Sequence, residues 1–344
     1  MGYDISYHPV DIQYLESTVF PYILGETDSD ALFDRPTKIV QARFQANAWG
    51  LGLLGRYHEQ NRREYEWNSQ NAIKKAALKL AGKKPPEREL EFESDIYVWG
   101  RPFFISDASA AEVAASIERY LNATDLAAVD ALAQQAINDK WPQLAGAIQP
   151  KFEQEPPTES DFRNEVSWKI VLMRDAVAAL RAGTEVKTPD GESMDPAECI
   201  EAYLQHAAME FAAITRPGWM TRGYVWPTYL CDLGGLPTTV FESSQKPFSG
   251  FLEKLPEAKL RDDDAISENY MLGGYVPAAE LPQLKQLFAE GRDEIIAAAT
   301  KEGWEYDCKV TLQKLDETIH YCEVNNLGLV EAAEIYSGPM GIMN

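Results

Sequence analysis

The sequence predicts a predominantly helical α+β protein with a small antiparallel sheet. Three observations lead there. Much of the chain repeats apolar residues at spacings of three and four; residues 1–9 and 90–99 alternate apolar and polar side chains instead; and the second half holds glycine-rich aromatic stretches suited to short strands and turns. With 344 residues, 45% of them hydrophobic, the chain has enough apolar material for one large core or two ordinary ones.

The elements follow in order. Tyr3, Ile5 and Tyr7 alternate with Asp4, Ser6 and His8, which reads as a strand, and Pro9, lacking an amide hydrogen, should end it. Residues 10–20 then have helical spacing. No charged-then-apolar leader precedes the strand, which predicts a mature cytoplasmic start, and no apolar run is long enough to cross a bilayer. Residues 36–55 form a helical candidate carrying Ile39, Phe44 and Trp49. It leads into Gly50-Leu-Gly52-Leu-Leu-Gly55, a match to G-x-G-x-x-G. A phosphate-cradling loop needs a strand before it and an acidic ribose ligand about twenty residues on. Here a helix precedes it and Lys75 occupies the ligand position, so the glycines read as close helix packing.

Residues 57–81 are a further helical stretch whose Lys74, Lys75 and Lys79, with Lys83 and Lys84 beyond, predict a solvated basic face. His58-Glu59 fails as a zinc motif because Arg62 stands where the second histidine belongs. After Pro85-Pro86, residues 90–99 alternate as a strand that continues through Phe103–Ile105. Ser109 and Glu112 have capping-box spacing for a helix faced by Val113, Ile117 and Tyr120, and an alanine-rich helix covers 124–140. The best boundary lies at 149–157, where Pro150, Pro156 and Pro157 break the periodicity. It separates a mainly helical region, 1–150, from an acidic α+β region, 158–344, an arrangement compatible with one packed body.

In the second region, Thr158 and Asp161 open a helix through Val166, Ile170, Met173, Val177 and Leu180 that Gly183 ends. Thr188-Pro-Asp-Gly191 is a turn, and 195–214 is the next helix. Residues 217–247 predict short strands and loops. Residues 269–277 predict a strand bent at Gly273-Gly274 and followed by a helix from Ala278. Helices at 293–301 and 307–323 precede a tail containing glycine and proline. The expected sheet draws mainly on this half, completed by the N-terminal strand.

The formal charge of −22 is uneven, −6 over residues 1–150 and −16 over 151–344. Phosphate binding is driven by cations that displace counterions, so this balance argues against direct binding to nucleic acid or anionic membrane and fits either a basic partner or simply solubility. Cys199, Cys231, Cys308 and Cys322 lack zinc-ligand spacing and read as reduced thiols, with Cys308 and Cys322 on the helical face of Leu312, Leu315 and Ile319.

No motif for a nucleophile, phosphate loop or metal site is present, and no catalytic, cofactor or metal residue is predicted. Asp232 and Glu242 flank a glycine-rich segment and would meet across a hairpin, which leaves a metal-dependent hydrolase or nucleic-acid-processing enzyme as an alternative. However, Gln245 stands where a nuclease site of the restriction-endonuclease type would place lysine. A non-catalytic adaptor is a third reading. Two sets of residues fit a binding face: the acidic loop Asp262, Asp263, Asp264 and Glu268, suited to basic side chains, and the aromatics Trp219, Tyr224 and Trp226, which serve either as interface anchors or as core.

The opening Met1-Gly-Tyr-Asp4 and Tyr7-His-Pro9 resemble the start of immunity proteins encoded beside toxins of bacterial type VI secretion systems, among them the partner of a restriction-endonuclease-like DNase effector. The resemblance covers these residues together with size and acidity. It implies a cytoplasmic protein that neutralises a cognate toxin, a nuclease, by stoichiometric binding, and it carries no catalytic residue with it.

Overall fold

The computed structural model describes residues 4–50, 52, 80–82, 96–98, 108–123, 125–152, 155–216, 218–222, 226–261 and 272–333. The architecture is α+β and predominantly helical, with a small antiparallel sheet. Strand β1 (Asp4–Val10) is followed by a helix, α1, that passes from Ile12–Tyr14 through a π-turn at Leu15–Val19 to Phe20–Ile23, and then by α2 (34–50). Next come β2 (Ile96–Val98), α3 (Ala110–Leu121) and α4 (Leu126–Lys140). Helix α5 (Glu159–Ala182), the hairpin β3 (Val186–Lys187) and β4 (Ser193–Met194), and α6 (Pro196–Ile214) form the middle of the chain. The last third holds β5 (Trp219–Arg222), α7 (Pro227–Gly234), α8 (Ser249–Lys254), β6 (Leu272–Val276), α9 (Leu281–Glu290), α10 (Arg292–Glu302), α11 (Glu305–Asn325) and β7 (Gly328–Ala333).

The sheet has the order β2-β5-β1-β7-β6, with every described pairing antiparallel. The N-terminal strand is therefore its centre rather than an added edge. Ser6, Tyr7, His8 and Val10 are all fully buried, so the alternation of polar and apolar residues does not mark a solvent face. It marks two different helical layers instead. Tyr7, with Trp219 opposite it on β5, faces a core built from α3, α7 and α9–α11. Val10, Val330 and Ala332 belong to the other core, with α1, α5, α6 and α8. On that second face Ser6 donates to the Ala332 carbonyl at 3.0 Å, which satisfies its buried hydroxyl.

Pro9 does not end β1, which pairs with β7 as far as Val10 opposite Gly328. Strand β5 covers β1 only from Asp4 to Tyr7. Among the described residues Pro9 thus pairs with β7 alone, and a residue without an N–H is tolerated where a strand is paired on one side.

Local signals account for most helix ends. Ser109 with Glu112, and Thr158 with Asp161, form complete capping boxes, and Gly183 closes α5 in the left-handed region at φ 65°. Two elements differ from the sequence-based expectation. Residues 227–234, expected as loop, form α7: Pro227 fits the first helical position, and Gly235 at φ 65° ends the helix, so the glycine pair is a helix stop rather than a flexible stretch. Residues 328–333, expected as tail, form β7; Leu329, Val330, Glu331 and Ala332 are all buried, and a strand covered on both faces shows no period of two. The bend at Gly273-Gly274 is present as a register shift between Leu272 and Tyr275.

Gly52 packs as close-contact glycine. A Cβ there would stand 2.2 Å from the Gln149 carbonyl oxygen, and nearby the Lys151 amide donates to the Ala48 carbonyl at 2.7 Å while Phe152 stacks on Phe44. The segment around the expected boundary at 149–157 thus lies against α2. All four cysteines are buried and free, and Cys308 and Cys322 share the core face of α11 with Leu312, Leu315 and Ile319. Among the described residues, no helix is long and apolar enough to cross a membrane.

Glu331 is a buried carboxylate at the heart of β7. It accepts from the Thr228 amide at the start of α7 and from the Gly274 amide of β6, each at 3.0 Å, and so ties one helix end and one strand to the sheet. Burial pushes its pKa up to about 7 from 4.5, against the pull of those two amides. A carboxyl raised in the folded state binds its proton there while the unfolded chain has released it. Folding stability is therefore expected to fall as pH rises from about 4.5 to about 7 and then to level off. Urea midpoints across that range should decline in the wild type and flatten in Glu331→Gln; an equal decline in both would remove Glu331 as the cause.

Candidate partner-binding groove

The β3–β4 hairpin holds α5 and α6 side by side. Its strands pair Val186 with Met194 and Lys187 with Ser193, the Thr188 amide donates to the Glu192 carbonyl at 2.9 Å, and Gly191 takes a left-handed turn position at φ 87°. Asp195 then caps α6 by accepting from the Ala197 and Glu198 amides, at 2.8 and 3.2 Å. Between the two helices and the hairpin lies an open groove of about 700 Å³.

Helical periodicity sets its walls. Trp168, Lys169, Leu172 and Met173 fall on one face of α5, and Ala202, Tyr203, His206 and Ala207 on one face of α6. Leu172, Met173 and Ala207 are buried and form an apolar floor, whereas Trp168 at 39% and Tyr203 at 48% exposure stand open at the rim. Both rings leave much of their surface open to solvent and so are available for contact. Thr188, Asp190 and Glu192 of the hairpin complete one side and Arg261 the other.

Among the described residues two cations line the groove, Lys169 on its wall and Arg261 at its mouth. Lys169 forms an ion pair with Glu210 and stands 5.4 Å from the Trp168 ring centroid. The carbonyl of Arg261 accepts from Gln245 at 2.8 Å, which fixes its backbone at the mouth. By contrast, neither Asp190 nor Glu192 is in an ion pair among the described residues. The Thr188 hydroxyl donates to the Asp190 carboxylate and holds its pKa below the usual carboxylate value, so it is ionised at neutral pH.

Beneath the floor a polar seam reaches the central strand. His206 Nδ1 lies 3.9 Å from the Glu210 carboxylate one turn along α6, and Gln205 donates to Ser244 at 2.5 Å. His8 of β1 and Arg43 and Asn47 of α2 are buried. Burial lowers the His206 pKa to about 4, with Lys169 adding to the effect, and holds His8 well below the usual histidine value, assisted by Arg43 and His206. Burial likewise raises the Glu210 carboxyl, opposed by Lys169. Both histidines are neutral at physiological pH. The groove was not legible as a site from the sequence; its one signal was the i, i+4 spacing of His206 and Glu210.

The residues singled out from the sequence have separate fates. Asp262, Asp263, Asp264, Glu268 and Tyr224 lie outside the described residues, as do His58 and Lys74. The acidic loop follows Arg261 directly in sequence. Trp219 is not a surface anchor: it is fully buried, with its ring 6.1 Å from that of Tyr321. Trp226 is half-buried at the start of α7, edge-on to Tyr229, which stacks on Trp304. Asp232 and Glu242 do not face each other across a hairpin, since Asp232 is on α7 while Glu242 bridges to Tyr275 of β6 and pairs with Lys246. Among the described residues, no three His, Cys, Asp or Glu side chains are grouped to hold a metal ion. No protein-family model matches the chain, and comparison with curated proteins and with solved structures finds no match.

Proposed function

We propose that this protein is an immunity protein that neutralises a cognate secreted bacterial toxin, a nuclease effector of a type VI secretion system, by stoichiometric protein–protein binding in the cytoplasm. The observation that carries the reading is the groove between α5 and α6: two exposed aromatics on rigid helices, an apolar floor, and carboxylates at the rim with no ion-pair partner among the described residues. The resemblance of residues 1–9 to such proteins and the charge of −22 support it. A nuclease must carry cationic surface for phosphate, and an acidic inhibitor competes for that surface while long-range attraction speeds the encounter. Buried aromatic contacts then slow dissociation.

The tagged protein, recovered from its own host at low and at moderate salt, should retain one toxin chain in near-equal amount, identified by mass spectrometry and by DNA cleavage in the eluted fraction. Retention of a metabolic enzyme in place of a toxin, or a retained toxin whose DNA cleavage this protein does not lower, would contradict the reading.

A further inference from the structure

We infer that the groove between α5, α6 and the β3–β4 hairpin binds a cationic segment of a partner protein, with a lysine or arginine stem on the floor and its charged head at Asp190 and Glu192. The charges of the groove divide by whether the chain itself answers them. Lys169 is neutralised by Glu210, and Asp190 and Glu192, which have no ion-pair partner among the described residues, outnumber Arg261 at the mouth by two formal charges to one, so the balance there is negative. An anionic ligand would have to displace Glu210 from Lys169 and approach two carboxylates. A cation meets those carboxylates directly.

The shape selects an amphipathic cation. Leu172, Met173 and Met194 give the floor apolar and thioether surface, which suits the methylene stem of lysine or arginine, while the rim is polar. The exposed ring of Tyr203 adds a face for a guanidinium plane or an ammonium group. At about 700 Å³ and open to solvent, the groove has room for more than one side chain, which favours a peptide segment over a single small ion. This deepens the proposed function by giving the inhibitor a contact site, but its test does not require the toxin.

The protein is produced with 5-fluorotryptophan, and the Trp168 fluorine resonance among the eight tryptophans is assigned with Trp168→Phe. A blocked arginine–leucine–arginine tripeptide should shift that resonance saturably, with a dissociation constant that rises with salt and rises about tenfold or more in Asp190→Lys with Glu192→Lys. Unchanged resonances of the other tryptophans in that variant establish that the fold is kept. The inference is overturned if a glutamate–leucine–glutamate peptide produces the same shift, if the arginine peptide leaves Trp168 unmoved, or if spermidine binds more tightly than the peptide. A shift at Trp168 without toxin inhibition would keep the groove and reject immunity; inhibition without the shift would do the reverse.

Discussion

Lys314→Ala should destabilise the protein by about 3–5 kcal/mol, measured as a loss of urea midpoint. Lys314 and Glu317 sit one turn apart on α11, at 0% and 1% exposure, with Nζ 3.3 Å from the carboxylate. Removing the lysine leaves a carboxylate inside a core lined by Trp219, Leu315 and Ile319, where water cannot take over the ammonium's role. The cost is that of taking the ammonium away from a buried carboxylate rather than the worth of the pair. Replacing both partners, Lys314→Met with Glu317→Leu, should recover most of the loss, since well-packed apolar side chains often match a buried pair. A double variant no more stable than Lys314→Ala would show that the pair holds the fold through contacts the apolar pair does not replace.

Trp219→Ala should cost about 3–5 kcal/mol, as expected for emptying the space of a fully buried tryptophan. Trp219 joins the sheet to α11: its backbone is opposite Tyr7 on β1 and Val98 on β2, its ring lies 6.1 Å from that of Tyr321, and its indole N–H makes a long, 3.5 Å approach to Glu317. Because it shares Glu317 with Lys314, the two losses should not add. The same variant separates core from interface. Partner affinity, measured under conditions where the variant remains folded, should be unchanged within about a factor of two, because the side chain does not reach the surface. A large loss of affinity without loss of stability would place Trp219 in the interface after all.

The limits of the sequence reading are physical. Helices were legible where apolar spacing and caps agreed, as at Ser109 with Glu112, Thr158 with Asp161, and Gly183 after α5. Strand β1 was legible from its alternation, but its place was not, because a polar residue facing a second protein layer looks the same in sequence as one facing water. Ser6 and His8 are of that kind. Strand β7 was hidden by burial on both faces, and α7 by glycines that end a helix as readily as they bend a strand. For the groove, sequence gives the faces of α5 and α6 separately and is silent on their meeting. Trp168 and Tyr203 are far apart in sequence, and only the register imposed by the β3–β4 hairpin makes them neighbours across one cleft. Trp219 and Trp226 show the converse: composition left both as either anchors or core, and tertiary packing placed one in the core and one half-buried in an aromatic row with Tyr229 and Trp304.

The most direct test of the account is a titration of the co-purified nuclease with this protein, reading DNA cleavage at a fixed enzyme concentration well above the dissociation constant. Stoichiometric neutralisation predicts a linear fall in activity that reaches its floor at one equivalent, with the break rounded and residual activity left at one equivalent when Asp190→Lys and Glu192→Lys weaken the complex. Cleavage that persists at a large excess of this protein, or substrate turnover by this protein alone, would contradict it.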